Sequence, residues 1–282
     1  MESHEIKKYQ QFQLRLLERT DRICQELGIR YYMIGGTLLG AVRHGGFIPW
    51  DADIDIAMRR ADYERFRQYW MEAESDDYFY QDHTTEPNHL SPHALLRIKG
   101  THVVMNTRVS ERYAAAEDGI YLDIFPLDEP PADKKKQDKQ RKALLRIRRT
   151  IELKAAYTYG TSTGKLKRLA KKTVQLCLLP LSLTTLNKML HKQMGKYTGC
   201  NSGCLVSMAS HYSYWKQLME DGIYGEPQRI SFEGRQFYAP AQTDAYLKKI
   251  YGNYMELPPE EKRYSDLKTI AYIDYGTKDT QE

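Results

Sequence analysis

Apolar residues recur at helical spacing from Ile6 to Leu27, which predicts a long first helix that ends at Gly28. Beyond this helix, short apolar runs with strand-like alternation are interleaved with helical segments as far as about Pro131. The expected strands are segments 30–34, 53–58, 93–99, 101–109 and 119–128, the last closed by Pro126. The expected helices are segments 38–44, capped by Thr37, and 60–72. This mixture predicts an α+β fold.

The remainder of the chain shows a second pattern, first basic and helical and then mixed. Its expected helices are segments 134–158, 165–194 and 243–250, and its expected strand pair is 229–234 with 235–240. The chain is therefore expected to form three parts. They are a core over residues 1–131, a largely helical basic insertion over 132–198 and a mixed α/β region over 199–282 that completes the site.

Charge is distributed unevenly along the 282 residues, whose net charge is +5. Between Lys134 and Lys172 there are fifteen basic and two acidic residues, so the rest carries 27 basic against 35 acidic residues. The basic segment suits an anionic membrane surface, because basic residues stand beside an apolar run and no nucleic-acid-binding motif is present. A merely solvated helical face remains the alternative. We expect no nucleic-acid partner.

The chain shows no signal-peptide pattern and no apolar run long enough to span a membrane. This predicts a cytoplasmic protein, with a possible place at the inner face of the cell membrane. Its four cysteines form no disulfide framework. Cys200 and Cys204, with His211 further on, leave a zinc site open as a weak alternative, because the spacing is uncommon and no second cysteine pair accompanies it.

Three aspartates at every second position, Asp51, Asp53 and Asp55, carry the main chemical signal. On a strand, their carboxylates share one face and the intervening apolar side chains share the other. Asp123 is bracketed by apolar residues in a second strand-like segment. Clustered carboxylates repel one another unless a cation neutralises them, and hard oxygen ligands favour Mg²⁺ or Mn²⁺. The alternative is that these aspartates are solvated acids on an exposed sheet face and bind no metal.

The spacing D-x-D-x-D also occurs in calcium-binding EF-hand loops, but this stretch does not fit one. Ile56 stands at the sixth position, where the loop needs Gly, and Asp62 stands at the twelfth, where it needs Glu. Gly35 and Gly36 precede a predicted helix, where unobstructed backbone N–H groups suit a phosphate. The first motif region therefore combines a candidate phosphate loop with a candidate metal strand.

The order of a strand, Gly-Gly, a helix, a D-h-D-h strand and a later Asp resembles the polymerase-β-like nucleotidyltransferase superfamily. More closely, IGGTLLGAVRHGGFIPWDADIDIAM (34–58) resembles the LicD family, and so do YLDIFPLD (121–128) and YGNYMELPPEEKR (251–263). The resemblance implies a nucleotidyltransferase-type mixed sheet flanked by helices. It also implies metal-dependent transfer of phosphorylcholine, or a similar phospho-alcohol, from a CDP-linked donor such as CDP-choline to a sugar hydroxyl. The acceptor would be a cell-surface glycan, lipopolysaccharide or teichoic acid, or its lipid-linked precursor.

The resemblance also implies roles for individual residues. Asp53 and Asp55 would hold Mg²⁺, and Asp123 would bind a second ion or take the acceptor proton, all three being catalytic. Asp51 is kept as an auxiliary acid. The implied substrate contacts are Gly35, Gly36, Thr37, Arg43, Arg97, Lys99, Asp51 and Arg263.

The sequence departs from the family pattern in two places. The family commonly has a third consecutive Asp where this chain has Ala52, which strand parity places on the core side. After Arg263 the family often shows paired histidines, which are absent here. His44 is expected to be a hydrogen-bonded loop histidine, with a role as ligand or general base as the alternative. Choline would need an aromatic cage, for which the candidates are Trp50, Tyr80, Trp215 and Tyr251.

Two other functions use the same features. A nucleotidyltransferase would move NMP from an NTP onto a small molecule with the same carboxylates, and would release pyrophosphate rather than CMP. A non-catalytic membrane- or glycan-binding protein would keep the fold without turnover, so that replacing Asp53 would change nothing measurable in catalysis.

Overall fold

The computed structural model describes residues 3–106, 117–155, 180–263 and 270–276. The helices in these ranges are α1 Ser3–Leu27, α2 Gly35–His44, α3 Arg60–Glu72, α4 Lys134–Lys154, α5 Leu183–Met194, α6 Tyr214–Gln217, α7 Asp221–Tyr224 and α8 Thr243–Tyr251. Short 3₁₀ turns cover Gly195–Tyr197 and Glu260–Lys262. The predicted helical residues 156–158 and 165–179, and the end of the predicted strand after residue 106, lie outside the described residues.

Eleven strands occur within the same ranges. They are β1 Tyr32–Met33, β2 Asp55–Arg59, β3 Tyr78–Gln81, β4 Ala94–Ile98, β5 His102–Met105, β6 Tyr121–Leu127, β7 Cys204–Val206, β8 Leu218–Glu220, β9 Gln228–Phe232, β10 Arg235–Ala239 and β11 Ile270–Asp274. Five of them form a mixed sheet in the order β1–β2–β6–β4–β3, and the others form two-stranded sheets β9–β10, β5–β11 and β7–β8. The predicted α+β class, with a mixed sheet flanked by helices, is confirmed.

The centre of the large sheet is the parallel pair β2–β6, whose register places Asp55 opposite Asp123. α1 and α3 pack on this sheet because each carries an apolar stripe at helical spacing. Leu16 and Leu17 of α1 and Phe66 of α3 are completely buried. The buried sheet thereby fixes the positions of the acidic side chains on its central strands.

The structure corrects the predicted start of α2 and of β2. α2 begins at Gly35, so Thr37 lies inside the first turn and is not the cap; the residue before the helix, Ile34, makes no side-chain cap bond. β2 begins at Asp55, so Asp53 precedes the strand. Even so, Ala52 and Ile54 are buried, which preserves the predicted alternation of core-facing and outward-facing side chains.

The strands differ from the sequence expectation in three further respects. β3 was not predicted, because its short segment lies among turn-forming residues. The segments 93–99 and 101–109 look like two strands joined at Gly100, but β5 pairs with β11 and does not enter the large sheet with β4. β6 continues through Pro126, which lies beyond Ile124, the last residue that β4 pairs with. The missing N–H of the proline therefore interrupts no ladder on that side.

The basic segment joins the core through Asn187, whose amide donates to the carbonyl of His89, and the C-terminal region joins the core through α8. α4 packs on α5, and Gln140 of α4 bonds the carbonyl of Gln193 and the hydroxyl of Tyr214. The predicted β9–β10 hairpin and helix α8 are confirmed. α8 packs against α2, which brings C-terminal residues beside the acidic strand. Among the described helices, none combines the length and the apolar character that a membrane crossing requires.

Candidate active site

Asp53, Asp55 and Asp123 converge at the start of β2, beside the neighbouring central strand β6. One carboxylate oxygen of each lies within 4.8 Å of those of the other two. Asp55 and Asp123 are cross-strand neighbours in the β2–β6 pair, and the N–H of Asp123 also bonds the carbonyl of Ile54 at 2.9 Å. Among the described residues, these three aspartates are the cluster whose potential ligand atoms lie close enough together to hold a metal ion. The trio has the oxygen chemistry that Mg²⁺ and Mn²⁺ prefer.

The carboxylates destabilise one another's charged forms. Burial, followed by the charges of Asp55, Asp51 and Asp123, raises the pKa of Asp53 well above its usual value. Burial, followed by Asp123 and Asp51, does the same to the pKa of Asp55. A bound cation would relieve this repulsion, so the electrostatics of the trio favour metal binding.

His93, the residue before β4, orients Asp123. Its Nε2 lies 2.7 Å from Oδ1 of Asp123, and its ring stacks on Phe125 with centroids 4.2 Å apart. A chain of hydrogen bonds supports this ring from behind. His89 Nε2 contacts the carbonyl of His93 at 2.7 Å, and the side-chain amide of Asn187 donates to the carbonyl of His89 at 2.7 Å. Helix α5 thus supports the acidic site from outside.

The Gly-Gly pair gives the acids room at the start of α2. Gly35 has φ +56°, and a Cβ there would lie 2.7 Å from Oδ2 of Asp55. A Cβ on Gly36 would lie 2.3 Å from Oδ2 of Asp51. Thr37 is buried, and its hydroxyl accepts the N–H of Asp55 at 2.8 Å. The start of α2 therefore cradles two carboxylates, with its dipole favouring their negative charge.

Asp51 lies beside the trio rather than inside it. Its charge contributes to the raised pKa of both Asp53 and Asp55. Its own backbone N–H bonds the carbonyl of Ile48 at 2.9 Å, which holds a turn before the acidic stretch. Asp51 also lines the cleft. This position agrees with an auxiliary acid, and its role remains a prediction.

The trio opens into a cleft of about 720 Å³ between the central sheet and the C-terminal region. Arg43 of α2 lines this cleft, and its guanidinium donates to the carbonyl of Tyr254 at 2.9 Å. Arg263 lies over the ring of Trp50, 5.0 Å from its centroid, and donates to the carbonyl of Pro258. Burial and the neighbouring Arg263 lower the pKa of Arg43. The acids of the trio and the guanidinium of Arg43 thus line one cleft, and Arg263 covers Trp50, another of its lining residues.

Aromatic side chains form the C-terminal wall of the cleft. They are Tyr212, Tyr246, Tyr251 and Tyr254. The hydroxyl of Tyr246 accepts the N–H of Gly35 at 3.2 Å, which locks α8 to the start of α2. Burial raises the pKa of Tyr251, so its hydroxyl stays neutral.

Among the aromatic residues suggested for a choline cage, only Trp50 and Tyr251 lie in the cleft. Tyr80 is buried against Phe66, and Trp215 lines a separate groove. The structure therefore narrows the predicted cage to two of its four candidates.

Arg97 and Lys99 are not brought to the cleft. Arg97 is engaged by the side chain of Gln81 at 2.7 Å and the carbonyl of Gly119 at 2.6 Å. Lys99 donates to the carbonyl of Ser75 at 2.8 Å. Both basic side chains hold loops at the far end of β4, so no contact in the structure supports their predicted phosphate role.

Sequence reasoning missed His93 and three of the four tyrosines of the wall, since it named only Tyr251. His93 is the first residue of a predicted strand, and a polar residue at a strand end was the available signal. Tyr246 looks like an ordinary apolar position of an amphipathic helix, and only its distant partner Gly35 identifies it. The zinc alternative gains no third ligand in the described ranges, where the Cys200 thiol instead donates to the carbonyl of Pro130.

Comparison with known proteins agrees with this geometry. Residues 28–159 match the family described as LicD/FKTN/FKRP, nucleotidyltransferase domain. Over 266 residues the chain is 29% identical to the lipopolysaccharide cholinephosphotransferase LicD of Haemophilus influenzae, covering 92% of this chain and 95% of that protein.

A second similarity is shorter. Over 96 residues the chain is 34% identical to the ribitol 5-phosphate transferase FKRP of Homo sapiens, and equally to that of Mus musculus. These matches cover 27% of this chain and 19% of each FKRP protein. The family match includes the start of α2, the three aspartates and His93. Residues 28–159 of the chain belong to the LicD/FKTN/FKRP nucleotidyltransferase domain family.

Proposed function

We propose that this protein transfers phosphorylcholine, or a similar phospho-alcohol, from a CDP-linked donor to a sugar hydroxyl of a glycan or its lipid-linked precursor. The observation that carries the proposal is the carboxylate trio in a cleft that Arg43 also lines. The similarity to a lipopolysaccharide cholinephosphotransferase over nearly the whole chain supports the choice of donor and acceptor.

The residues present fit a divalent cation. Three carboxylates share a small volume, and burial with mutual repulsion disfavours their ionised forms when no cation neutralises them. Asp53 and Asp55 would hold Mg²⁺ or Mn²⁺, with Asp123 as a further ligand or as the base. When bound, the ion supplies neutralisation of the pyrophosphate charge and activation of the leaving group.

The chain's own residues position the reacting groups. Arg43 lines the cleft and would bind the phosphates, with Arg263 nearby over Trp50, and the rings of Trp50 and Tyr251 suit a cationic headgroup such as choline. The acceptor oxygen forms a bond to the phosphorus that carries the alcohol, and the bond from that phosphorus to the bridging oxygen of CMP breaks. Asp123, held in place by His93, takes the proton from the acceptor hydroxyl.

A donor screen tests the proposal. The purified protein is incubated with Mg²⁺ and either CDP-choline, CDP-ethanolamine, CDP-ribitol or NTPs, and CMP and pyrophosphate are quantified. We expect CMP release from a CDP-alcohol, and a loss on the order of 10³-fold in Asp53→Asn, because the charge neutralisation is worth several kcal/mol. Asp76→Asn, which removes an exposed acid outside the cleft, is the matched control and should keep wild-type turnover.

The alternatives predict different products. Pyrophosphate release from an NTP, with no CMP from any CDP-alcohol, would replace the proposal with NMP transfer. Binding of a glycan without turnover of any nucleotide, unchanged in Asp53→Asn, would indicate a non-catalytic binding protein.

A further inference from the structure

Helix α4 presents a straight row of cations to solvent. Lys135, Lys139, Lys142, Arg146 and Arg149 follow one another at spacings of four, three, four and three residues, and all five are exposed. Residues at this spacing lie on one face of an α-helix. The row is about 21 Å long, from the rise of 1.5 Å per residue.

The opposite face of α4 is buried, so the row has a fixed direction. Gln140, Leu144 and Ile151 point into the protein, and Gln140 is bonded to Gln193 and Tyr214. Rotation of the helix would expose this packed face, which would cost burial of Leu144 and Ile151. The cationic row is therefore a rigid feature of the surface.

Most of the row lacks acidic counterparts. Asp138 pairs with Lys142 at 2.7 Å and with Arg141 at 2.7 Å. For Lys139, Arg146 and Arg149, no carboxylate of the described residues lies at ion-pair distance. The row thus retains most of its positive charge for an external anion.

An apolar groove of about 260 Å³ runs along one flank of this row. Its lining includes Leu144, Leu145, Met208, Tyr214 and Trp215. Leu145 belongs to α4 and is 38% exposed, and Trp215 is 36% exposed. A large aliphatic and a large aromatic side chain thus stand beside the cations rather than inside the protein.

The groove and the catalytic cleft share a wall. His211 and Tyr212 line both cavities. A lipid-linked acceptor lying in a membrane against the groove would therefore have its polar end near the cleft. The relationship is one of position only, and it does not depend on which donor the cleft uses.

We propose that the cationic row of α4 and the groove at Leu145 and Trp215 form one docking surface for an anionic lipid bilayer. The row provides charge complementarity to acidic headgroups, and Leu145 and Trp215 enter the interfacial region, where tryptophan is favoured. A soluble polyanion would engage the charges and leave the apolar side chains exposed, so the combination favours a membrane. The surface lies beside the catalytic cleft and holds the protein where lipid-linked acceptors are found.

Vesicle co-sedimentation tests the surface without any donor, so its failure leaves the proposed function untouched. The full chain is mixed with vesicles of phosphatidylcholine alone or of phosphatidylcholine and phosphatidylglycerol in equal amounts. We expect binding to the anionic vesicles only, weakening as salt shortens the Debye length. The variant Lys139→Gln/Arg146→Gln/Arg149→Gln should bind about 100-fold more weakly, from roughly fivefold per cation.

A matched control separates the surface from general charge. Lys7→Gln/Arg22→Gln/Arg30→Gln removes the same one lysine and two arginines from α1 and the loop after it, and should bind as the wild type does. Equal weakening in both triple variants would overturn the proposal, as would binding to neutral vesicles alone or no binding.

Tryptophan emission tests the apolar part. Anionic vesicles should shift the emission to shorter wavelength in the wild type. Trp215→Phe should abolish the shift, because Trp70 is buried and Trp50 lies beneath Arg263 in the catalytic cleft rather than in the groove. Binding to heparin as tight as to anionic vesicles, with no emission shift on vesicles, would assign the row to soluble polyanions and overturn the membrane proposal.

Discussion

His93 Nε2 lies 2.7 Å from Oδ1 of Asp123, and this contact joins the residue before β4 to the carboxylate that β6 contributes to the site. An ionised carboxylate only accepts, so a hydrogen bond from His93 to an ionised Asp123 requires the hydrogen on Nε2. We expect His93→Phe to lower kcat about 10- to 100-fold, as loss of a partner that orients a site residue does, with a smaller change in the KM of the donor. Steady-state CMP release measures both constants.

Partial recovery of kcat by another hydrogen-bond donor at position 93 would distinguish a positioning role from structural damage. His93→Gln places an amide N–H near the position of Nε2 and should recover part of kcat. His102 provides the control, since its Nδ1 lies 2.6 Å from Asp118 in an exposed pair. Equal losses in His93→Phe and His102→Phe, or no rescue by Gln, would contradict the positioning role.

Removing one acid of the trio should stabilise the metal-free protein. Since the native pKa of Asp53 is raised, the folded state holds its proton more tightly than the unfolded state, and its contribution to stability falls as pH rises above about 3.8. Asp53→Asn should therefore raise Tm at pH 7.5. A gain of about 1 kcal/mol corresponds to about 2–4 °C for a domain of roughly this size.

The same variant reports metal binding without turnover. Mg²⁺ should raise the Tm of the wild type and leave that of Asp53→Asn nearly unchanged, because a ligand stabilises only the state that binds it. Calorimetry with and without EDTA measures both. An equal Mg²⁺ shift in the two proteins would rule out Asp53 as a ligand.

Asp51 should matter less than Asp53, because it lies beside the trio and not within it. We expect Asp51→Asn to reduce CMP release by about tenfold or less, the lower end of the effect of indirect site partners. Asp53→Asn should reduce CMP release far more. Comparable losses in the two variants would move Asp51 into the metal site.

Gly35 should be needed for the site as well as for its backbone conformation. Gly35→Ala and Gly45→Ala both place a side chain at positive φ, +56° and +73°, which costs about 1–2 kcal/mol in each. Only at Gly35 does the new Cβ meet Asp55, because nothing lies within 4 Å at Gly45. Similar losses of Tm, with activity lost only in Gly35→Ala, would agree with this geometry. Full activity in Gly35→Ala would refute it.

Acid should destabilise the packing of α5 through His191, whose ring stacks on His83 with centroids 4.1 Å apart. Burial, with the charges of His83 and Arg60, lowers the pKa of His191 to about 2. Below about pH 6.5 the unfolded chain therefore binds a proton that the native state does not. Stability falls by about 1.4 kcal/mol per pH unit for this group as pH decreases from there.

Urea unfolding between pH 7 and 5 checks this dependence. His191→Phe preserves a stacked ring and should flatten the slope relative to the wild type. His102→Phe should not flatten it, because Asp118 raises the pKa of His102. Identical slopes in the wild type and His191→Phe would refute the prediction.

Local patterns in the sequence determined the elements that form within one segment. The amphipathic stripe of α1, the helix α3 and the β9–β10 hairpin each follow from periodicity and end signals a few residues apart. The alternation of Asp53 and Asp55 with buried Ile54 was predictable for the same reason, because it depends only on adjacent residues. Periodicity states which face of a segment is buried.

Tertiary structure alone decided which segments meet. Pairing of β5 with β11, the bond between Gly35 and Tyr246 and the contact of His93 with Asp123 join residues far apart in the chain. Many strands and helices share the same apolar pattern, so local periodicity does not name a partner. Burial of the whole sheet and satisfaction of its polar groups select one arrangement. The sequence by itself thus determined that acids line one face, and the fold decided that three of them share a single site.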